Sequence, residues 1–297
     1  MALTLLLASG ITYFLGGGLI LLAAVLPVKT SNMGWRLMPA ILACLGVPGV
    51  VLSATPTPAW LNVVWAAAFV AWVVACLVRQ TTAKAHMRLS QGALAFVTIV
   101  AVALEVPHAW VPRVPTTPSR MLYVIGDSLS AGLGQPEEKP WPQVLAQTRQ
   151  IRVINLAEAG ATVRSARHQA GHIGPEPATV LLEIGGNDLI AGRPAGVFEL
   201  ELDELISSVT RPGRTVVMLE LPLPALCNGY GAAQRRVAAA RGVILFPKRL
   251  LARVLADPAA TTDGLHLSVR GQESMADMIW DVLAASFREA TSQPGGS

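Results

Sequence analysis

Apolar and polar positions follow two different patterns that meet near residue 118. Upstream, apolar residues run almost without interruption through 2–27, 37–54, 60–78 and 92–111. A helix of about 20 apolar residues crosses the ~30 Å hydrocarbon core of a bilayer, so these runs predict about four transmembrane helices. The second is short and carries Gly46, Pro48 and Gly49, which predicts a kinked or re-entrant segment. The fourth meets Glu105, Pro107 and His108, where the span is expected to leave the bilayer with Trp110 as an interfacial anchor. Downstream, short apolar runs at 121–125, 153–157, 179–185, 215–221 and 243–246 alternate with polar stretches of helical character at about 140–149, 162–170, 196–210, 229–241 and 269–288. Strands alternating with helices predict βαβ units around a parallel sheet. Strands that are apolar throughout fit a sheet covered on both faces.

The domain organisation is therefore a transmembrane region (1–111), a Pro-rich linker (112–119, PRVPTTPS), an α/β domain (120–288) and a flexible tail (289–297). The net charge of +4 is unevenly spread. Residues 1–118 hold six Lys/Arg against the single acid Glu105, whereas the remainder holds 17 against 18. The basic residues sit in short segments between apolar runs, which points to a membrane and away from nucleic acid. Lys29 and Arg36 lie between the first two runs, and Arg79, Lys84 and Arg88 between the third and fourth, while 53–58 carries no charge. With positive segments kept inside, the N-terminus and the α/β domain fall on the extracytoplasmic side of the cytoplasmic membrane. A cleaved signal peptide over 1–27 is disfavoured, since the start lacks a basic n-region. A transporter is disfavoured by the scarcity of ionisable residues in the runs.

Ligands of open α/β sheets bind beyond the carboxyl ends of the strands, so the residues that follow each expected strand matter most. They are Gly126-Asp127-Ser128-Leu129-Ser130 after the first, Asn155 and Gly160 after the second, and Gly185-Gly186-Asn187-Asp188 after the third. Asp263-Gly264-Leu265-His266 precedes the last helix. Together they supply what acyl transfer needs. Ser128 is a nucleophile, His266 a base to take its proton, and Asp263 a carboxylate to orient the imidazole. The backbone N–H groups of Ser128 and Gly160 and the side-chain amide of Asn187 form an oxyanion hole. Asp188 is assigned no chemical role. His168 and His172, four apart, lack an acidic partner at motif spacing, so no metal is expected. Cys44, Cys76 and Cys227 cannot form a disulfide framework.

These blocks resemble the SGNH, or GDSL-type, hydrolases, named for the residues found here as Ser128, Gly160, Asn187 and His266. The stretch IGDSLSAGLG, with Trp141-Pro142 downstream, is similar to bacterial periplasmic enzymes with thioesterase, lysophospholipase and arylesterase activity. The resemblance covers about residues 120–288. It implies a flavodoxin-like three-layer α/β/α fold, ester hydrolysis without cofactor or metal, and a structural rather than catalytic Asp127. The four anchoring spans are a departure from that family. The expected substrate is a small-molecule ester or thioester, a lysolipid or an acylated sugar. The alternatives are an O-acyltransferase or deacetylase of envelope polysaccharide, and an inactive membrane scaffold.

Overall fold

The structure, a computed structural model, describes residues 2–26, 33–77, 83–117, 119–134 and 138–287. The basic positions Lys29 and Arg79 and the expected tail 289–297 lie outside the described residues. The chain forms two compact units, one of residues 6–110 with 223–228, the other of 1–5, 111–222 and 229–297.

The first unit is helical. The opening apolar run is not one helix but two, α1 (Ala2–Ala8) and α2 (Ile11–Val25), separated at Gly10, whose φ is +81°. At 15 residues α2 spans only about 22 Å. The second run forms α3 (Met33–Val51), which continues as helix through Pro39 and Pro48. The third forms α4 (Ala59–Leu77), and the fourth forms α5 (Ala83–Ala109), which runs on through Glu105 and Pro107. Glu105 is buried within this unit, where the sequence places it at a boundary. Small residues set the packing of α2 on α3. A Cβ on Gly16 would lie 2.5 Å from the carbonyl oxygen of Gly46, a close approach of the kind that glycine permits between apolar helices. Between α4 and α5, the Trp65 indole N–H donates to Thr98 Oγ1 at 3.1 Å. Two helices, Ala59–Leu77 and Ala85–Ala109, are long and apolar enough to cross a bilayer.

The second unit is a five-stranded parallel sheet, β1 (Met121–Gly126), β2 (Arg152–Asn155), β3 (Ala178–Glu183), β4 (Arg214–Leu219) and β5 (Ile244–Phe246), in the order β2-β1-β3-β4-β5. This is the doubly wound flavodoxin-like order, which puts the topological switch between β1 and β3. β1 and β3 are apolar along nearly their whole length because helices cover both faces. The connecting helices are α6 (Ser128–Ala131), α7 (Trp141–Thr148), α8 (Ala166–Ala170), α9 (Gly186–Ile190), α10 (Ala195–Val209), α11 (Asn228–Arg241), α12 (Lys248–Ala256) and α13 (Val269–Leu283), followed by a 3₁₀ turn at Ala284–Phe287. Ahead of β1, Thr117 donates its N–H to the Ser286 carbonyl, tying the Pro-rich stretch to the end of the chain fold. One core cluster joins Leu122, Val124, Trp141, Leu181, Phe246, Met275 and Ile279.

Phe198 of α10 supports the turn after β3 from below. It is fully buried, lies 4.6 Å from the Tyr230 ring, and a Cβ at Gly185 would come within 2.8 Å of it. Phe198→Ala removes this packing and leaves a cavity, so it is expected to cost about 3–5 kcal/mol. A lower thermal midpoint of the full chain in detergent checks this.

Candidate active site

β1 ends in Gly126 because nothing larger fits there. A Cβ at that position would lie 2.8 Å from Ser130 Oγ and 3.0 Å from the Glu183 carbonyl. The chain then turns at Asp127, whose carboxylate accepts the Leu129 N–H at 3.1 Å and so caps the four-residue helix α6. Gln169 brackets the strand end from α8, accepting from Gly126 N–H and donating to Gly126 O, each at 3.0 Å. Ser128 thereby stands at the mouth of the sheet, half-buried, as the first residue of α6.

The loops around this turn bring in the other groups. Gly160 adopts a φ of +78°, a backbone conformation that glycine takes without steric cost. Among the described residues no hydrogen bond engages the backbone N–H of Ser128 or Gly160. Asn187, in α9 after β3, donates one amide hydrogen to Ala161 O at 2.9 Å and makes a longer 3.4 Å contact to Asp127 Oδ2. The first bond orients the amide, and the second, weak contact leaves a donor that a stronger acceptor would claim. Asp188 holds the neighbouring loops together. Its buried carboxylate accepts from Val163 N–H at 2.9 Å and pairs with Arg193 at 3.2 Å.

Asp263 and His266 come together within one loop. Asp263 Oδ2 lies 2.6 Å from His266 Nδ1. Asp263 Oδ1 accepts the backbone N–H groups of Leu265 at 2.9 Å and His266 at 2.8 Å. Those two N–H bonds and the imidazole hold the Asp263 carboxyl well below the usual carboxylate range. Burial pushes the Asp127 carboxyl up to about 6, an effect opposed by the Leu129 N–H and by the charge of His266. Among the described residues, Ser128 Oγ and His266 Nε2 form no direct hydrogen bond. Ser128 thus follows β1, Asn187 follows β3, and His266 is paired with Asp263 in the loop before α13, the group types that acyl transfer uses.

His168 lies 3.6 Å from Glu158 and edge-on to His172. Leu221, at the exit of β4, is buried, and its backbone N–H donates to Gln234 at 3.0 Å. Sequence reasoning missed Glu183, Ser130 and Gln169, which hold the serine turn. The signal available was a lone acid inside an apolar strand, in TVLLEIG.

Comparison with known proteins agrees with this fold. Residues 124–273 match the GDSL-like Lipase/Acylhydrolase family. An arylesterase of Vibrio mimicus is 30% identical over 177 residues, covering 54% of this chain and 86% of the relative. Esterase TesA of Pseudomonas aeruginosa is 28% identical over 181 residues, covering 56% of this chain and 88% of its own length. A crystal structure of TesA superposes with a TM-score of 0.51 at 24% identity, covering 56% of this chain and 99% of that one, and so shares the fold. The chain belongs to the GDSL-like lipase/acylhydrolase family and is a serine esterase.

Proposed function

We propose that this protein hydrolyses carboxylic ester or thioester bonds through a Ser128–His266–Asp263 triad, at the outer surface of a membrane that its N-terminal helices span. The observation that carries the chemistry is the 2.6 Å contact of Asp263 Oδ2 with His266 Nδ1. A ring proton on Nδ1 satisfies that carboxylate and leaves the Nε2 lone pair as the base. In the first half-reaction Ser128 Oγ attacks the acyl carbon and its proton passes to His266 Nε2. The Ser128 and Gly160 N–H groups and the Asn187 amide stabilise the oxyanion. The bond to the leaving oxygen or sulfur breaks as Nε2 returns the proton to it. Water then attacks the acyl-Ser128 ester, delivers its proton through Nε2 to Ser128, and the carboxylic acid leaves. Contacts such as Ser128 to His266 commonly tighten only in the complex with substrate.

Exposed apolar side chains support an acyl group of some length. Leu133 follows α6, Ile190 closes α9 just after Asn187, and Leu265 adjoins His266, exposed at 46%, 69% and 45%. Burying a side chain of this size against substrate contributes about 1.5–3 kcal/mol. Ile190→Ser is therefore expected to lower kcat/KM for a dodecanoyl ester roughly tenfold while sparing the acetyl ester. Parallel assays of p-nitrophenyl esters of both lengths check this.

The membrane reading rests on where the apolar surface lies. Only 11% of the apolar window of Ala59–Leu77 and 33% of that of Ala85–Ala109 is buried. A core helix of a soluble protein would be mostly buried, so lipid is the medium that suits these faces. The basic residues between the apolar runs then orient the esterase unit outward. Treating the full chain in detergent with a fluorophosphonate tests the chemistry. An adduct on Ser128 that stops ester turnover supports the reading. Turnover that persists in the fully labelled protein, or labelling elsewhere, overturns it.

A further inference from the structure

We propose that Glu183, at the end of β3, is a positioning residue for the nucleophile, holding Ser130 and through it the turn that carries Ser128. The inference rests on Ser128 being the nucleophile. A helix of four residues is too short to hold its own geometry, so α6 depends on side chains from its neighbours. Those anchors converge on Ser130, two residues beyond Ser128. Ser130 Oγ donates to Glu183 Oε2 at 2.8 Å and accepts the Trp141 indole N–H at 3.1 Å. The Asn155 amide donates to the Ser130 carbonyl at 2.8 Å. All three atoms of this chain, from β3, α6 and α7, are out of reach of solvent, since Glu183 is 1% exposed and Ser130 and Trp141 are fully buried.

A carboxyl is an expensive choice for such a place. A buried carboxylate costs several kcal/mol unless fully paired, and Glu183 Oε1 has no hydrogen-bond partner among the described residues. The charged group that faces Glu183 is Asp127, whose carboxylate repels it. Burial, reinforced by Asp127, pushes the Glu183 carboxyl well above the usual range. Its Oε2 serves as the acceptor for the Ser130 hydroxyl, two residues beyond Ser128. The register fits this role, because Glu183 lies opposite Gly126 across the β1–β3 ladder. A side chain at Gly126 would displace Ser130 Oγ.

Glutamine keeps the shape and the acceptor, whereas leucine removes the acceptor. With the full chain in detergent, Glu183→Gln is expected to stay within about threefold of wild type in kcat. Glu183→Leu is expected to lose roughly a hundredfold in kcat and in the rate of fluorophosphonate labelling, with KM unchanged, as for a slightly misplaced reacting group. Ser130→Ala removes the other end of the bond and is expected to lose a similar factor, and Glu183→Leu in that background should add little. Should Glu183→Leu not fold, Ser130→Ala with Trp141 intact carries the same comparison. Wild-type kcat and labelling in the folded Glu183→Leu or Ser130→Ala variant would overturn the proposal, as would Glu183→Gln failing as badly as Glu183→Leu. If the wild-type chain itself is not labelled at Ser128, the proposed function fails first, and the two failures are told apart.

Discussion

Ser128→Ala is expected to lower kcat on a p-nitrophenyl ester by about 10⁴–10⁶-fold, with KM nearly unchanged. No neighbouring group can substitute for its oxygen. Ser128 opens α6 at the end of β1, and the other hydroxyl of the turn, Ser130, is buried and committed to Glu183 and Trp141. The substitution leaves the cap intact, because that bond is made by the Asp127 side chain to Leu129 N–H. Folding should therefore survive, and the loss should be chemical. Residual turnover in the variant would come from binding and the oxyanion donors alone. His266→Ala should fall to a similar level. The double variant should be hardly worse than either, since the two residues act in one step. Steady-state kinetics of the three variants, with near-ultraviolet circular dichroism as a check on folding, measures this. Separate, multiplying losses would show that the two residues do not act as a unit.

Asp263→Asn is expected to cost about 10³–10⁴-fold in kcat, although it changes one atom. Asp263 Oδ2 faces His266 Nδ1 at 2.6 Å, and Oδ1 accepts two backbone N–H groups. Asparagine can keep the Oδ1 bonds but then presents an amide N–H₂ to Nδ1. The ring responds by carrying its proton on Nε2, and the lone pair needed for Ser128 is lost. The pH dependence follows from the depressed Asp263 carboxyl. A carboxyl lowered in the folded state contributes stability above its unfolded value, near pH 4, and that contribution is lost as pH falls through the folded value. Across the working range Asp263 therefore stays ionised and keeps its bond to His266 Nδ1. A kcat/KM profile from pH 4 to 9 for wild type and Asp263→Asn checks both points. A variant with wild-type kcat would remove Asp263 from the mechanism.

Much of this site is legible along the chain because its parts are local. Asp263 and His266 are three residues apart, and their pairing needs one loop and no other element. Gly126-Asp127-Ser128 and Gly185-Gly186-Asn187 stand at the ends of apolar runs, and the general rule for parallel sheets places such ends at a ligand site. The inner strands β1 and β3 were legible too, since a strand covered on both faces is apolar along nearly its whole length, whereas the edge strand β2, Arg152–Asn155, has exposed ends.

Other features depend on what is distant in sequence. Helices α6 and α9 have four and five residues, too few to display a helical period. The break at Gly10 shortens the first apolar run, because composition counts apolar residues without reporting where the backbone turns left-handed. The strand order β2-β1-β3-β4-β5, which puts β1 beside β3, comes from the packing of helices on both faces. Glu183 shows the division most clearly. In sequence it is an acid misplaced in an apolar strand, and only the register of β3 against β1, with Trp141 of α7 bonded to Ser130, sets its carboxyl on Ser130. The amino-acid sequence by itself determined the alternation of elements and the chemical groups at each strand end, because period and local turns act over a few residues. Tertiary structure alone decided which of those ends meet, and which buried polar groups hold the serine in place, because burial and hydrogen-bond geometry are properties of residues far apart in the chain.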